Sequence, residues 1–356
     1  MADLFTPVAL GSLGLRNRIV MAPMTRNRAL PGDVPGELAV QYYGARAATG
    51  LIVTEGTQPS ADGKGYCRTP GIYSDAQIAG WRRVTDAVHR AGGCIVVQLM
   101  HCGRIGSHLN KDPGARTLAP SAIRAAGKIF TDAAGLVEFD TPEALTLAGI
   151  AQVIGEYAAA ARAARQAGFD GVELHAASGY LPMQFLSTGT NQRTDTYGGD
   201  LAGRLRFVSE TLEALSAVMG AERVGVRICP GNPFNDLYDA RPAETYAALL
   251  RRLAPLGLAY LHVIRSPDAS LDAFALAREC FAGPRILNDG FDFASGNRAV
   301  GAGDAAAISY ARAFIANPDL VERLRHGWPL AAFERKTLYT AGAAGYTSYG
   351  PYRPGD

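Results

Sequence analysis

The chain has 356 residues, 48% of them hydrophobic, with a formal net charge of +2. That is ample apolar material for a sizeable core, and the balanced charge argues against a nucleic acid or an anionic membrane surface as partner. Five dispersed cysteines (Cys67, Cys94, Cys102, Cys229 and Cys280) form no CxxC pair and no zinc spacing, so they read as free thiols of a reducing compartment. The start "MADLFTPVAL" lacks the basic opening and long apolar run of a signal peptide. No window approaches the roughly 18 uninterrupted apolar residues of a membrane helix. The expectation is a soluble cytoplasmic protein, monomer or homodimer, acting on a small molecule.

In chain order, "FTPVALGSLGLRNR" alternates apolar residues around Gly11 and Gly14 and predicts a hairpin. Eight β-rich runs follow: "RIVMAPM" (18–24), "LIVTEG" (51–56), "CIVVQL" (94–99), "GVELH" (171–175), "VGVRI" (224–228), "YLHVI" (260–264), "PRILND" (284–289) and "AAISYA" (306–311). Most are continuously apolar, as parallel strands buried on both faces are. Helices are predicted over 75–91, 145–167, 200–219 and 242–256, with "SDAQ" (74–77) and "TPEA" (141–144) as polar starts and Pro142 suited to a first helical turn. Residues 102–143 form a long excursion after the third strand, in which "KIFTDAAGLVEF" reads as a second hairpin lying over the mouth.

Eight strands alternating with helices predict an α/β fold, a (β/α)8 TIM barrel in one domain spanning 1–356, its bottom closed by the N-terminal hairpin. The competing doubly wound sheet wants a Gly-rich phosphate loop after an early strand, and no G-x-G-x-x-G stands there.

Chemistry in such barrels sits at the C-terminal strand ends. Those ends supply Pro23, Met24 and Thr25; Glu55 and Gly56; Gln98, with His101 close behind; His175; Arg227; Gly290; and Arg312. Gln98 offers both an amide donor and a carbonyl acceptor, suited to a uracil-like edge. Arg227 is a permanent cation able to stabilise charge on a ring. Gly290 and Arg312 follow strands seven and eight, where barrels commonly bind phosphate. Singly, Arg227 could be a core ion-pair partner and Gln98 an interior filler. Together they fit a flavin mononucleotide. No His/Asp/Glu cluster offers a metal site, which disfavours a metal-dependent barrel aldolase. His89 and His326 read as solvent-facing helix residues, His101 as a structural loop histidine, and His262 as a packing or flavin-side residue.

The stretches "NRIVMAPMTRNRA", "GKGYCRTPGIYSDAQIAGW", "TNQRTDTYGG", "FIANPDLVERLRHGWPL" and "LYTAGAAGYTSY" run in order along the chain, which through them resembles the Old Yellow Enzyme family of FMN-dependent ene-reductases. The resemblance implies FMN held non-covalently at the mouth of an eight-stranded α/β barrel. Pro23, Met24 and Thr25 would flank the isoalloxazine, Thr25 near its O4; Gly56 would approach with its backbone. Gln98 and Arg227 would hold the pyrimidine edge, and Gly290, Ala311 and Arg312 the phosphate. His175 would bind the substrate's activating oxygen, Tyr180 would donate a proton, and Tyr66 and Tyr339 would wall the substrate pocket. The implied reaction is ping-pong: NADPH or NADH gives hydride to flavin N5 and leaves, and an α,β-unsaturated carbonyl or nitro compound takes it at the β-carbon.

Three positions depart from the family pattern. Ser178 stands where members carry Asn or His as second donor to the substrate oxygen. Met100 replaces a tryptophan common after "QL", and Ala311 replaces the glycine before the phosphate-binding arginine. The short serine keeps open a pathway-specific desaturase or double-bond isomerase on the same scaffold. A non-catalytic FMN protein is disfavoured by the retention of both His175 and Tyr180.

Overall fold

The computed structural model describes residues 2–353. The chain opens with the antiparallel hairpin β1 (Val8–Leu10) and β2 (Leu13–Leu15), then enters the barrel through β3 (Ile19–Met21), β4 (Leu51–Val53) and β5 (Ile95–Leu99). The excursion contributes β6 (Leu118–Ala119), the hairpin β7 (Lys128–Thr131) and β8 (Gly135–Glu138), and β9 (Glu143–Ala144), which pairs with β6. The barrel resumes with β10 (Gly171–Ala176), β11 (Val224–Ile228), β12 (Tyr260–Ile264), β13 (Arg285–Asn288) and β14 (Ala307–Tyr310). All eight barrel strands are parallel, and β14 pairs with β3 to close the ring. The expected (β/α)8 barrel is the observed one.

Alternate residues of each strand face the barrel interior. Toward the bottom they are apolar: Val20, Leu51, Val53, Val96, Tyr260, Ile286 and Ala307 pack into one cluster with Leu10, Leu13 and Leu15 of the first hairpin. The predicted hairpin therefore closes the bottom. Gly225 makes room within this layer, since a Cβ there would lie 2.3 Å from the Tyr260 ring. Two residues further along the strands the same inward positions turn polar. Register pairs Gln98 with Glu173, His175 with Arg227, and Arg227 with His262. An apolar plug thus carries a polar layer directly beneath the mouth.

The helix at Asp75–Arg90 starts on a capping box: the Gln77 amide donates to Ser74 Oγ at 3.3 Å, and Gln77 Oε1 accepts from the Ser74 amide at 3.2 Å. "TPEA" does not start the next helix. Glu143 and Ala144 are drawn into a strand pairing with Leu118 and Ala119. The helix begins at Leu147, capped by Thr146 Oγ1, which accepts from the Gly149 amide at 3.0 Å. Pro142 therefore lies outside its first turn. Helices at Glu37–Gly44, Leu181–Leu186, Ala273–Cys280, Phe293–Gly301, Arg312–Ala316 and Leu320–His326 are not among those the sequence predicts; none is longer than nine residues, too short to show a sustained helical period.

Two arginines after β3 fasten the C-terminal segment beside the mouth. Arg26 Nη2 donates to the Gly345 carbonyl at 2.6 Å, and Arg28 donates to the carbonyls of Leu338 and Thr337, each at 2.6 Å. Arg26 lies 5.2 Å from the ring centres of Tyr42 and Tyr346, which stack on one another at 4.1 Å. This clamp carries Tyr339 to the opening.

Candidate active site

A cavity of about 670 Å³ opens at the C-terminal ends of the strands. Its lining gathers ten residues expected from sequence: Pro23, Thr25, Gly56, Tyr66, Gln98, Met100, His175, Ser178, Tyr180 and Tyr339. Lys128, Ile129 and Phe130 of the second hairpin line it too, so the excursion lies over the mouth. Met24 instead packs, half-buried, against the main core. Arg227 lies in the polar layer below, with Nη2 donating to Asn288 Oδ1 at 2.7 Å. Gly290, Ala311 and Arg312 stand apart at the rim after β13 and β14, where the exposed Arg312 guanidinium is 3.8 Å from Asp289.

The polar layer is a chain of bonds around one buried acid. Glu173 accepts from Gln98 Nε2 at 2.7 Å and from His262 Nδ1 at 2.8 Å, and His262 Nε2 meets Ser309 Oγ at 2.7 Å. Burial opposes the Glu173 charge, but His262, the nearby Arg227 cation and the Gln98 bond outweigh it and hold the carboxyl below its ordinary range. Burial and Arg227 likewise hold His262 below the usual histidine value. The consistent assignment is an ionised Glu173 and a neutral His262 that donates from Nδ1 and accepts at Nε2. The bond to Glu173 fixes the Gln98 side chain and leaves its carbonyl oxygen for the cavity.

His175 stands next along β10 on the same inward side as Glu173. Burial, reinforced by Arg227, lowers it to about 3, so the ring is neutral at any working pH, and its Nδ1 has no partner among the described residues. After β10 the chain turns through Ser178 (φ 56°) and Gly179 (φ 76°), both left-handed. At Gly179 a Cβ would lie 2.6 Å from the Phe234 carbonyl oxygen, so the turn demands glycine there. The Ser178 amide donates to Cys229 Sγ at 2.9 Å, and its carbonyl accepts from Asn235 Nδ2 at 2.8 Å. This pinned turn swings Tyr180 back over His175, with ring centres 5.0 Å apart at 68°. Tyr180 Oη is 3.0 Å from Tyr66 Oη. Burial raises the Tyr180 phenol well above its ordinary value, so it keeps its proton.

The side chains fit FMN on their own chemistry. Among the described residues, Arg227 Nε–H is buried without a partner, as is His175 Nδ1, and Gln98 directs an acceptor at the cavity floor. Gly56 keeps its backbone open at the cavity wall, where a Cβ would lie 2.4 Å from Met100 Sδ and push that flexible side chain aside. The model of the NADH:flavin oxidoreductase / NADH oxidase family matches residues 3–331. The chain belongs to the Old Yellow Enzyme family. A probable flavin mononucleotide-dependent alkene reductase of Leishmania infantum is 41% identical over 351 residues, 96% of each chain. The 12-oxophytodienoate reductase 7 of Oryza sativa is 38% identical, over 98% of this chain and 94% of its own. Morphinone reductase in complex with tetrahydroNAD superposes with a TM-score of 0.95 at 42% identity, covering 100% of this chain and 99% of that one. The protein is accordingly an FMN-dependent oxidoreductase with a nicotinamide hydride donor.

Several parts of this family member's site escaped sequence reading. Glu173, Asn288 and Ser309 sit inside apolar runs, yet their two-residue spacing from other inward positions marks them as interior. Arg265 immediately follows β12 and donates to the Asp289 carbonyl at 3.2 Å, adding a cation to the rim beside Gly290. Asn27, Phe234, Arg335, Lys336 and Thr340 reach the cavity from segments without regular periodicity. His101 is the structural loop histidine expected, buried and lowered to about 3 by burial, with Nδ1 accepting from the Gly103 amide at 3.1 Å. His89 and His326 are exposed and lie near Asp170 and Glu322. Burial pushes Cys102 up to about 12 and also raises Cys67, so neither thiol is activated.

These shifts set an acid response. His101 and His175 titrate near 3 when folded and near 6.5 when unfolded, so below 6.5 the unfolded chain binds two protons that the folded chain refuses. Each such group removes up to about 1.4 kcal/mol of stability per pH unit as pH falls. Glu55, raised to about 7 by burial, works the other way down to its ordinary 4.5, because there the folded state holds the proton. Two losses against one gain give a net fall on the order of 1 kcal/mol per pH unit between about pH 6 and 5; the lowered His262 adds to it, and Asp33, raised by burial, offsets part of it. Urea unfolding at those two pH values measures the difference. Equal or greater stability at the lower pH contradicts the buried neutral histidines.

Proposed function

We propose that this enzyme reduces the C=C bond of α,β-unsaturated carbonyl or nitro compounds. Bound FMN supplies the two-electron relay from NADH or NADPH to the alkene. Pro23, Thr25 and the backbone of Met24 and Gly56 flank the ring; Gln98 and Arg227 hold its polar edge; Gly290, Ala311 and Arg312 hold the phosphate. The supporting observation is the meeting of His175 and Tyr180 at one cavity wall, rings 5.0 Å apart, with burial keeping one neutral and the other protonated. The neutral imidazole, with Ser178, binds and polarises the activating oxygen. Tyr180 gives its proton to the α-carbon as hydride reaches the β-carbon. Tyr66 hydrogen-bonds the Tyr180 hydroxyl and, with Met100 and Tyr339, shapes the space for substrate.

Tyr180→Phe removes only the phenolic donor. Stopped-flow spectroscopy is expected to find flavin reduction by NADPH nearly unchanged, and reoxidation by an enone slowed roughly 10²-fold or more. Quinones and nitroalkenes, whose reduced anions need no concerted protonation, lose less. Equal loss in both half-reactions makes Tyr180 structural and overturns the proposal.

One observation favours a second reading, a specialised desaturase or isomerase: the second oxygen donor is the short hydroxyl of Ser178, on a turn that cannot advance it. The left-handed backbone there suits asparagine better than most residues, so Ser178→Asn adds no backbone strain. The variant is expected to raise kcat/KM for cyclohexenone by about 1 kcal/mol, the net worth of one hydrogen bond to a polarised acceptor. A wild type that already reduces cyclohexenone efficiently, with no gain in the variant, removes the case for an altered substrate class.

A further inference from the structure

The outer wall of the cavity carries three cations and no carboxylate: Lys128 on β7, and Arg335 and Lys336 in the C-terminal segment. Lys128 is the most telling. Its cross-strand partner is Glu138, the placement in which opposite charges normally pair. Yet Glu138 is engaged by Arg124 at 2.6 Å, and Asp132, in the turn of the same hairpin, is engaged by Arg68. Among the described residues, none of the three cations has an ion-pair partner. The backbone beneath Arg335 and Lys336 is nevertheless fixed, since Arg28 grips the carbonyls of Thr337 and Leu338 just beyond them. A chain with a net charge of only +2 thus concentrates three uncompensated cations, from two distant segments, around one opening.

We propose that Lys128, Arg335 and Lys336 form a phosphate-reading rim for the hydride donor. They take the pyrophosphate and, in NADPH, the additional ribose phosphate, while the nicotinamide enters the cavity. This rests on the functional reading above. A dinucleotide with its nicotinamide inside carries several phosphate charges outward whatever the second substrate is, and a multiply charged anion matches a wall of three cations better than a single carboxylate does. The rim therefore favours NADPH over NADH. Because the three side chains are exposed, the preference weakens as salt screens them.

The test is stopped-flow reduction of the FMN-loaded protein by NADPH and by NADH, at low salt and at roughly 0.5 M salt, where screening extends to only a few ångströms. The variants are Lys128→Gln and the triple Lys128→Gln, Arg335→Gln, Lys336→Gln, with flavin absorbance as the check on folding. The triple variant is expected to raise the Kd of NADPH about tenfold or more at low salt and that of NADH less, with the difference collapsing at high salt. Reoxidation by an uncharged enone serves as one control arm, and reoxidation by an enone bearing a carboxylate as another. An unchanged Kd for NADPH at low salt overturns the rim. So does a loss confined to the carboxylate-bearing enone, which assigns the cations to the substrate instead. Failure of both nucleotides to bleach the wild-type flavin overturns the functional reading itself and is visible before any variant is made.

Discussion

One anion and one cation inside the barrel set the rest of the site. Glu173 is fully buried, so it stays ionised only because Gln98, His262 and the Arg227 charge surround it. The same arrangement aims Gln98 at the cavity and holds Arg227 beneath it; burial, reinforced by the Arg227 charge against the pull of Glu173, keeps both neighbouring histidines neutral. Removing the Glu173 carboxylate would leave Arg227 uncompensated and free the Gln98 amide at once. A buried ion set of this kind contributes little net stability. What it supplies is orientation, which the apolar plug below it cannot.

The second constraint is the turn from β10 to the helix at Leu181–Leu186. A strand can present His175 at its end, but a tyrosine five residues on returns to the same wall only if the chain reverses sharply. Ser178 and Gly179 do this in left-handed conformation, tied to Cys229 and Asn235. The opposite wall comes from far away in sequence, where Arg26 and Arg28 bind the carbonyls of the C-terminal segment and so bring Tyr339 to the opening. The site is thus built from rigid strand ends on one side and arginine-held irregular backbone on the other.

The parts legible in the sequence are those with a period or a repeated place. Continuous apolar runs at regular intervals specify the parallel barrel, and polar residues closing those runs pick out Gln98, His175 and Arg227. Reading inward parity along each strand also recovers Glu173, His262, Asn288 and Ser309, which a search confined to strand ends passes over. Capping is legible when it is local, as at Ser74 and Gln77. It misleads at "TPEA", where a pairing with Leu118 and Ala119 competes for the same residues. Tyr339, Phe234 and Lys336 reach the cavity through long-range hydrogen bonds to backbone carbonyls, which leave no local pattern. Resemblance supplied Tyr339; nothing in the sequence supplied the other two.

In the proposed reaction a protonated Tyr180, held beside a neutral His175, delivers the proton to the α-carbon. That delivery is tested most directly by reducing a 2-substituted cyclohexenone in D₂O and reading the configuration and label at the α-carbon by NMR at short reaction times. Delivery from one fixed hydroxyl predicts a single α-configuration carrying one solvent deuteron. An equal mixture of α-epimers would mean protonation by bulk solvent after release, and would remove Tyr180 as the donor.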